Sequence, residues 1–194
     1  MSCKFTKPLK EEQINYVLKA LEAEKNYNLL AITSLLMKAT RVSDVRETIT
    51  IADVYTMDGK IRDEIVYNEA KTGKKRIIPT KGKLLRVALT EVYKTIEKKD
   101  RSCNLFYSRK GKYSNTVIST VTVNRNLKKF VGQCGIEEIS SHAIRKTACR
   151  LLLDGGVNVA VISKLLNHAS QEVTFRYLGI NSEDTMEALS LLEF

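Results

Sequence analysis

Residues 141–177 read SHAIRKTACRLLLDGGVNVAVISKLLNHASQEVTFRY. Both histidines of the 194-residue chain, His142 and His168, fall inside this stretch, with Arg145 between them and Tyr177 at its close. Its pattern predicts three short helices. The first runs from about Ser141 to Asp154: Ser140 or Ser141 is the N-cap, Ile144, Ala148, Leu151 and Leu152 recur at helical spacing, and Gly155-Gly156 ends it. His142 and Arg145, three residues apart, share a face at an end where free backbone N–H groups and the helix dipole favour an anion. A second helix, about Val159 to Leu166, buries Ile162, Leu165 and Leu166 and is followed by His168. A third starts near Ser170, carries Phe175 inward and closes near Tyr177. Two histidines, an arginine and a phenol are thereby expected around one bound phosphate.

Working outward, the segment before this stretch predicts a helix capped by Ser114 or Asn115 and running through Ile118, Val121, Leu127 and Phe130, with Arg125, Lys128 and Lys129 on a basic side. Lys98 to Tyr113 reads as a loop, and Gly82 to Ile96 as an amphipathic helix on Leu84, Leu85, Ala88, Val92 and Ile96. Between 48 and 79 the period changes. Thr48 to Tyr55, Ile61 to Tyr67 and Arg76 to Pro79 predict three antiparallel strands, turning at Asp58-Gly59 and at a basic tip, Lys71-Thr72-Gly73-Lys74. Further upstream, Ile14, Val17, Leu18 and Leu21 mark a one-sided helix from Lys10 to about Ala23. Asn28 is the expected cap of a second helix, apolar on most sides and so central, that runs to Ala39 and leads into Arg41. An arginine at that place is either a solvent-facing helix-end charge or a cation held on rigid support. At the other end, Asn181 and Asp184 offer a cap for a terminal helix with Met186, Leu189, Leu192 and Phe194 along one stripe.

Composition narrows the class. Thirty-two Lys and Arg against 22 Asp and Glu give a formal net charge of +10, which suits a polyanionic partner. No apolar run approaches the ~20 residues of a membrane span, and no apolar leader opens the chain, so a cytoplasmic protein without membrane contact is expected. Cys3, Cys103, Cys134 and Cys149 lack C-x-x-C spacing and are read as reduced thiols, with no metal site. Absence of a long linker, repeat or low-complexity tract predicts one domain over 1–194, mixed α+β and mainly helical with a small three-stranded sheet.

His142-x-x-Arg145, then Leu165-Leu166-x-His168, then a tyrosine nine positions later together resemble the C-terminal signature of the tyrosine recombinase (phage integrase) family. Two further motifs match. Arg41, Ser43 and Asp44 fit the family's G-x-R-x-S-E, with Ala39 in place of the glycine, and Lys71-Thr72-Gly73-Lys74 before a short apolar strand and a proline fits its lysine hairpin. The resemblance covers about Leu9 to Phe194 and departs also at Asn167, where a glycine is usual. It implies the catalytic-domain fold of that family and six active-site residues: Arg41, Lys71 (with Lys74 the nearest rival), His142, Arg145, His168 and Tyr177. It further implies DNA cleavage and rejoining through a 3′-phosphotyrosyl intermediate, with duplex DNA as partner and no metal, nucleotide or redox cofactor. Lys74, Arg125 and Lys128 would then lie against DNA. The tail of Met186, Leu189, Leu192 and Phe194 would pack on its own domain or dock on a second protomer. Most members carry a helical core-binding domain ahead of the catalytic one, and nothing here corresponds to it. An excised catalytic domain, or a short member such as the fimbrial-switch inversion recombinases, is therefore expected. A type IB topoisomerase shares the residues and the chemistry. A non-catalytic DNA-binding regulator is expected to lack the tyrosine or an arginine, and none is missing; the unmatched core-binding domain nevertheless keeps that reading as an alternative, because weak DNA affinity would leave the chain inactive.

Overall fold

The structure, a computed structural model, describes residues 7–96, 100–107, 116–136, 139–180, 186 and 190. Helix α1 (Glu11–Ala23) buries Ile14, Val17 and Leu21, as its spacing requires. It lies on α2 (Tyr27–Leu36), in which every residue from Leu29 to Leu36 is buried. Asn26, not Asn28, is the N-cap of α2, without a side-chain cap hydrogen bond, so Asn28 lies inside the first turn beside the buried Leu29 and Leu30. Helix α2 also packs against α5 (Lys83–Lys94), α6 (Thr120–Gln133) and α7 (Ser141–Asp154), so it is the axis of the larger core.

After α2 come two short helices, α3 (Val42–Glu47) and α4 (Ile51–Val54). The second replaces the first of the three expected strands. Thr50 and Asp53 form a reciprocal capping box, in which the Thr50 hydroxyl accepts from the Asp53 N–H and the Asp53 carboxylate accepts from the Thr50 N–H at 2.8 Å. That local exchange winds the segment into one turn, and only its flanks pair, as single bridges of Thr50 with Asn104 and Tyr55 with Ile61. The sheet therefore has two antiparallel strands, β1 (Glu64–Asn68) and β2 (Lys75–Pro79), in register from Glu64 opposite Pro79 to Asn68 opposite Lys75.

The basic helix α6 starts later than its sequence suggests, with Ser119 capping through the Thr122 N–H; Ser114 and Asn115 lie outside the described residues. Val121 is exposed and Val123 takes the buried place. Toward the C-terminus, α7, α8 (Val159–Leu166) and α9 (Gln171–Leu178) appear where expected, capped by Ser140, Asn158 and Ser170. Phe175 does not point inward. It is 38% exposed, because the buried face of α9 is set by Thr174 and Leu178 four residues apart. A second, smaller core joins Ala39, Cys149, Ile162, Leu166 and Leu178, with Tyr177 against it, and so seats α8 and α9 on the end of α2. Of the terminal stripe, Leu189, Leu192 and Phe194 lie outside the described residues, as does Cys3, while Met186 is exposed. Among the described residues no helix is long and apolar enough to cross a membrane.

Candidate active site

The site forms where the end of α2, the β1–β2 hairpin tip and the α8–α9 turn meet. Ala39 leaves α2 in the left-handed region, φ +56°, and this corner aims Arg41 inward. Arg76 of β2 braces it by donating Nη2 to the carbonyls of Ala39 (3.1 Å) and Lys38 (3.4 Å), and the Thr40 hydroxyl donates to the Leu35 carbonyl at 2.7 Å. Arg41 Nη1 then lies 2.8 Å from Glu69 Oε2 and 4.0 Å from Asp44 Oδ2, and Nη2 donates to the Leu166 carbonyl at 3.2 Å. That same carbonyl accepts from Arg145 Nη2 at 3.3 Å. Leu166 is the last residue of α8, so its carbonyl has no partner inside the helix and sits at the negative end of the helix dipole. Two guanidiniums are thereby held side by side on one helix terminus, although their charges repel.

The turn after Leu166 is built by Asn167, also left-handed at φ +57°. Its side chain donates to Glu69 Oε2 at 2.9 Å and accepts from Lys74 Nζ at 3.0 Å, tying the hairpin tip to α8. His168 follows, with Nδ1 3.0 Å from the buried Thr174 hydroxyl of α9, which leaves Nε2 as the ring nitrogen without a hydrogen-bond partner among the described residues. The Tyr177 ring stands edge-on to both histidines, 5.3 Å from His142 and 5.4 Å from His168 between ring centroids. Its hydroxyl is buried and has no hydrogen-bond partner among the described residues. Burial pushes this phenol above its ordinary value, and the nearby Arg145 and Arg41 only partly oppose that. Both histidines are pushed below theirs, first by the surrounding protein and then by Arg145, so they favour the neutral form.

Of the six residues singled out by sequence, Arg41, Arg145, His142, His168 and Tyr177 are linked through these contacts. Lys71 is exposed on the tip and makes no hydrogen bond or ion pair with the described residues. Lys74 differs, since its ammonium is committed to Asn167. Arg125 and Lys128 are exposed on α6, and none of the hydrogen bonds or ion pairs above reaches them.

Glu69, Arg76, Asn167 and Thr174 were not legible as site residues. One signal existed for Glu69: Ile65, Tyr67 and Glu69 alternate inward along and just past β1, so the strand period carries an acid to a buried position. Burial alone raises the pKa of a carboxyl group. Here hydrogen bonds from Asn167, Thr72, Arg41 and Arg76 outweigh burial and hold Glu69 down to about 2, so it is ionised at neutral pH.

The sequence model of the phage integrase family matches residues 7–184. Over 150 residues the chain is 30% identical to a probable integrase/recombinase YoeC of Bacillus subtilis, which covers 77% of this chain and 76% of that protein. Tyrosine recombinase XerA of Pyrococcus furiosus is 27% identical over 184 residues, or 94% of this chain and 60% of its own length. Among solved structures, a XerA recombinase aligns with a TM-score of 0.73 at 21% identity, over 98% of this chain and 65% of that one. XerH site-specific recombinase in a pre-cleavage complex with its difH substrate aligns with a TM-score of 0.70 at 18% identity, over 100% of this chain and 56% of that one. At such identities the structures show a shared fold, and this chain spans less than two thirds of several of these proteins.

Proposed function

Because the chain belongs to the phage integrase family, we propose that it is a site-specific DNA recombinase. In this reading it cleaves and rejoins duplex DNA through a 3′-phosphotyrosyl intermediate, as in integration, excision or inversion of a DNA element. One observation carries the reading: the Tyr177 phenol packs against two neutral-leaning histidines, close enough to the paired guanidiniums of Arg41 and Arg145 to feel their charge. Residues 1–194 are read as a single catalytic domain.

The chemistry follows from what each group can hold or move. Arg41 and Arg145 bind the non-bridging oxygens of the scissile phosphate as forks of N–H donors, and His168 adds a donor through Nε2. Charge that builds on those oxygens meets cations already fixed in place. The Tyr177 oxygen attacks phosphorus as its proton passes to His142, whose depressed pKa leaves a lone pair to receive it near pH 7. The bond to the 5′ oxygen breaks, and Lys71 gives that oxygen a proton. Reversal of these steps by another 5′-hydroxyl rejoins the strand. Lys74, Arg125 and Lys128 are proposed to contact backbone phosphates, supported by the net charge of +10. The tail around Met186 is proposed to meet a second copy on DNA.

A random-sequence pool of nicked duplexes tests this reading. Wild-type protein is expected to form a DNA adduct that survives denaturant, and Tyr177→Phe to bind DNA yet form none. Adduct formation by Tyr177→Phe at the wild-type rate sinks the assignment, and binding without any adduct moves a non-catalytic regulator ahead. With the selected duplex in hand, exchange between two sites, set against relaxation of a plasmid alone, separates a recombinase from a topoisomerase.

A further inference from the structure

Glu69 has no part in the steps above, yet the tip, the α2 corner and the α8–α9 turn all converge on its side chain. Its backbone closes the tip: the Glu69 N–H donates to the Lys74 carbonyl at 2.9 Å, and its carbonyl accepts from the Gly73 N–H at 2.8 Å. Its side chain is 2% exposed. Oε1 accepts from Arg76 at 3.1 Å, and Oε2 faces Arg41 at 2.8 Å, the Thr72 hydroxyl at 2.7 Å and the Asn167 amide at 2.9 Å. Oε2 thus accepts two hydrogen bonds and faces one cation, and Oε1 accepts one hydrogen bond, so both oxygens of the carboxylate are engaged. An amide of the same length has only one oxygen and turns donors toward donors.

We infer that Glu69 is a positioning residue of the cleavage site, an anion that holds Arg41 in register with Arg145 and clamps the Lys71-bearing tip to the turn that carries His168. The inference rests on the reading of Arg41 and Lys71 as contacts to the phosphate and the leaving oxygen. Charge balance supports an anion here rather than a polar group. Arg41 pairs with Glu69 and lies 4.0 Å from Asp44, Arg76 pairs with Glu69, and Arg145 shares the Leu166 carbonyl with Arg41; three cations against two anions leave a single positive charge for the single negative charge of a phosphodiester. Without the Glu69 charge, Arg41 and Arg145 repel one another across the Leu166 carbonyl with two positive charges in excess. Geometry links the tip to the same group. Thr72, next to Lys71, donates to Glu69, and Asn167 bridges Glu69, Thr72 and Lys74 immediately before His168.

Single-turnover cleavage of the nicked duplex selected by the wild-type protein tests the inference. Three substrates are compared: the phosphodiester, a methylphosphonate at the cleaved position, and a duplex with sulfur in place of the bridging 5′ oxygen. Glu69→Gln is expected to lower the maximal rate on the phosphodiester about 100-fold, with half-saturating DNA within about threefold of wild type. On the methylphosphonate, where no oxyanion awaits Arg41, the gap shrinks to about threefold. Thr72→Val alters an exposed residue and tests the clamp even where Glu69→Gln is poorly folded. It is expected to slow the phosphodiester about tenfold and the sulfur substrate hardly at all, because a thiolate departs without a proton from Lys71. Wild-type rates for Glu69→Gln, or an equal loss on all three substrates in a variant that still unfolds cooperatively, overturn the positioning role and leave the recombinase reading intact. Failure of wild type to form any Tyr177 adduct overturns that reading, and this inference with it.

Discussion

Arg41 and His168 each follow a corner at which a residue other than glycine takes the left-handed region, Ala39 at φ +56° and Asn167 at φ +57°. The two corners are held differently. Ala39 is 1% exposed, with its methyl in the small core, and the strain of about 1 kcal/mol is offset from outside, by Arg76 and Thr40 bonding the neighbouring carbonyls. Asn167 is a residue that tolerates this region, and its side chain is itself the fastening, to Glu69, Thr72 and Lys74. A side chain at the first corner is thus incidental to the bonds that fix it, whereas at the second it makes them. Both corners nevertheless reach one carboxylate, Glu69, through Arg41 and Arg76 on one side and Asn167 on the other.

Acid breaks both corners at once and has the largest expected effect. The folded pKa of Glu69 lies below its ordinary value, so the unfolded chain takes up the proton first as pH falls. The stabilisation is complete above pH 4.5 and is lost on the way to about pH 2. A depression from 4.5 to about 2 corresponds to about 3 kcal/mol. Urea unfolding of wild type and Glu69→Gln between pH 6 and 2 is expected to show their stability gap closing by about that amount. A gap independent of pH contradicts an ionised Glu69.

Asn167→Gly separates the corners. Glycine is free of backbone strain there but loses the bonds to Glu69, Thr72 and Lys74, of which the one to a charged carboxylate matters most, so a loss of about 2 kcal/mol is expected in denaturant at pH 7. A change near zero makes the second corner no different from the first. Smallest is Ala39→Gly. Relief of about 1 kcal/mol of strain is opposed by the loss of one buried methyl, worth about 0.8 kcal/mol, and the net is expected within about 0.5 kcal/mol of zero. A destabilisation above about 2 kcal/mol in the same titration means the Ala39 methyl, rather than Arg76, holds that corner.

Much of the C-terminal half was legible because its signals are local. Ser140 and Gly155-Gly156 bracket α7, Ser170 caps α9, and the apolar spacing of Ile162 and Leu166 gives α8 its buried face. Where the reading failed, two local rules competed. Alternation from Thr48 to Tyr55 argued for a strand, and the Thr50–Asp53 capping box won. On α9, Phe175 looked like the buried aromatic, but Thr174 and Leu178 take the inner face, and with it the contact to His168.

Residue types and their spacing along the chain were by themselves enough to bring out the family, its six candidate site residues and a phosphate-sized problem of charge. Those features depend on neighbours three, four or nine positions away, and the eye can count them. Only the tertiary structure decided that Leu166, 125 residues from Arg41, lends its carbonyl to both arginines, and that Asn167, 98 residues from Glu69, binds it. The same packing engages Lys74, leaves Lys71 without a partner among the described residues, and stands Tyr177 against two histidines. The physical reason is range. Caps and periodicity act within a turn or two, but a buried carboxylate acquires its partners only when the core around α2 has drawn distant segments together.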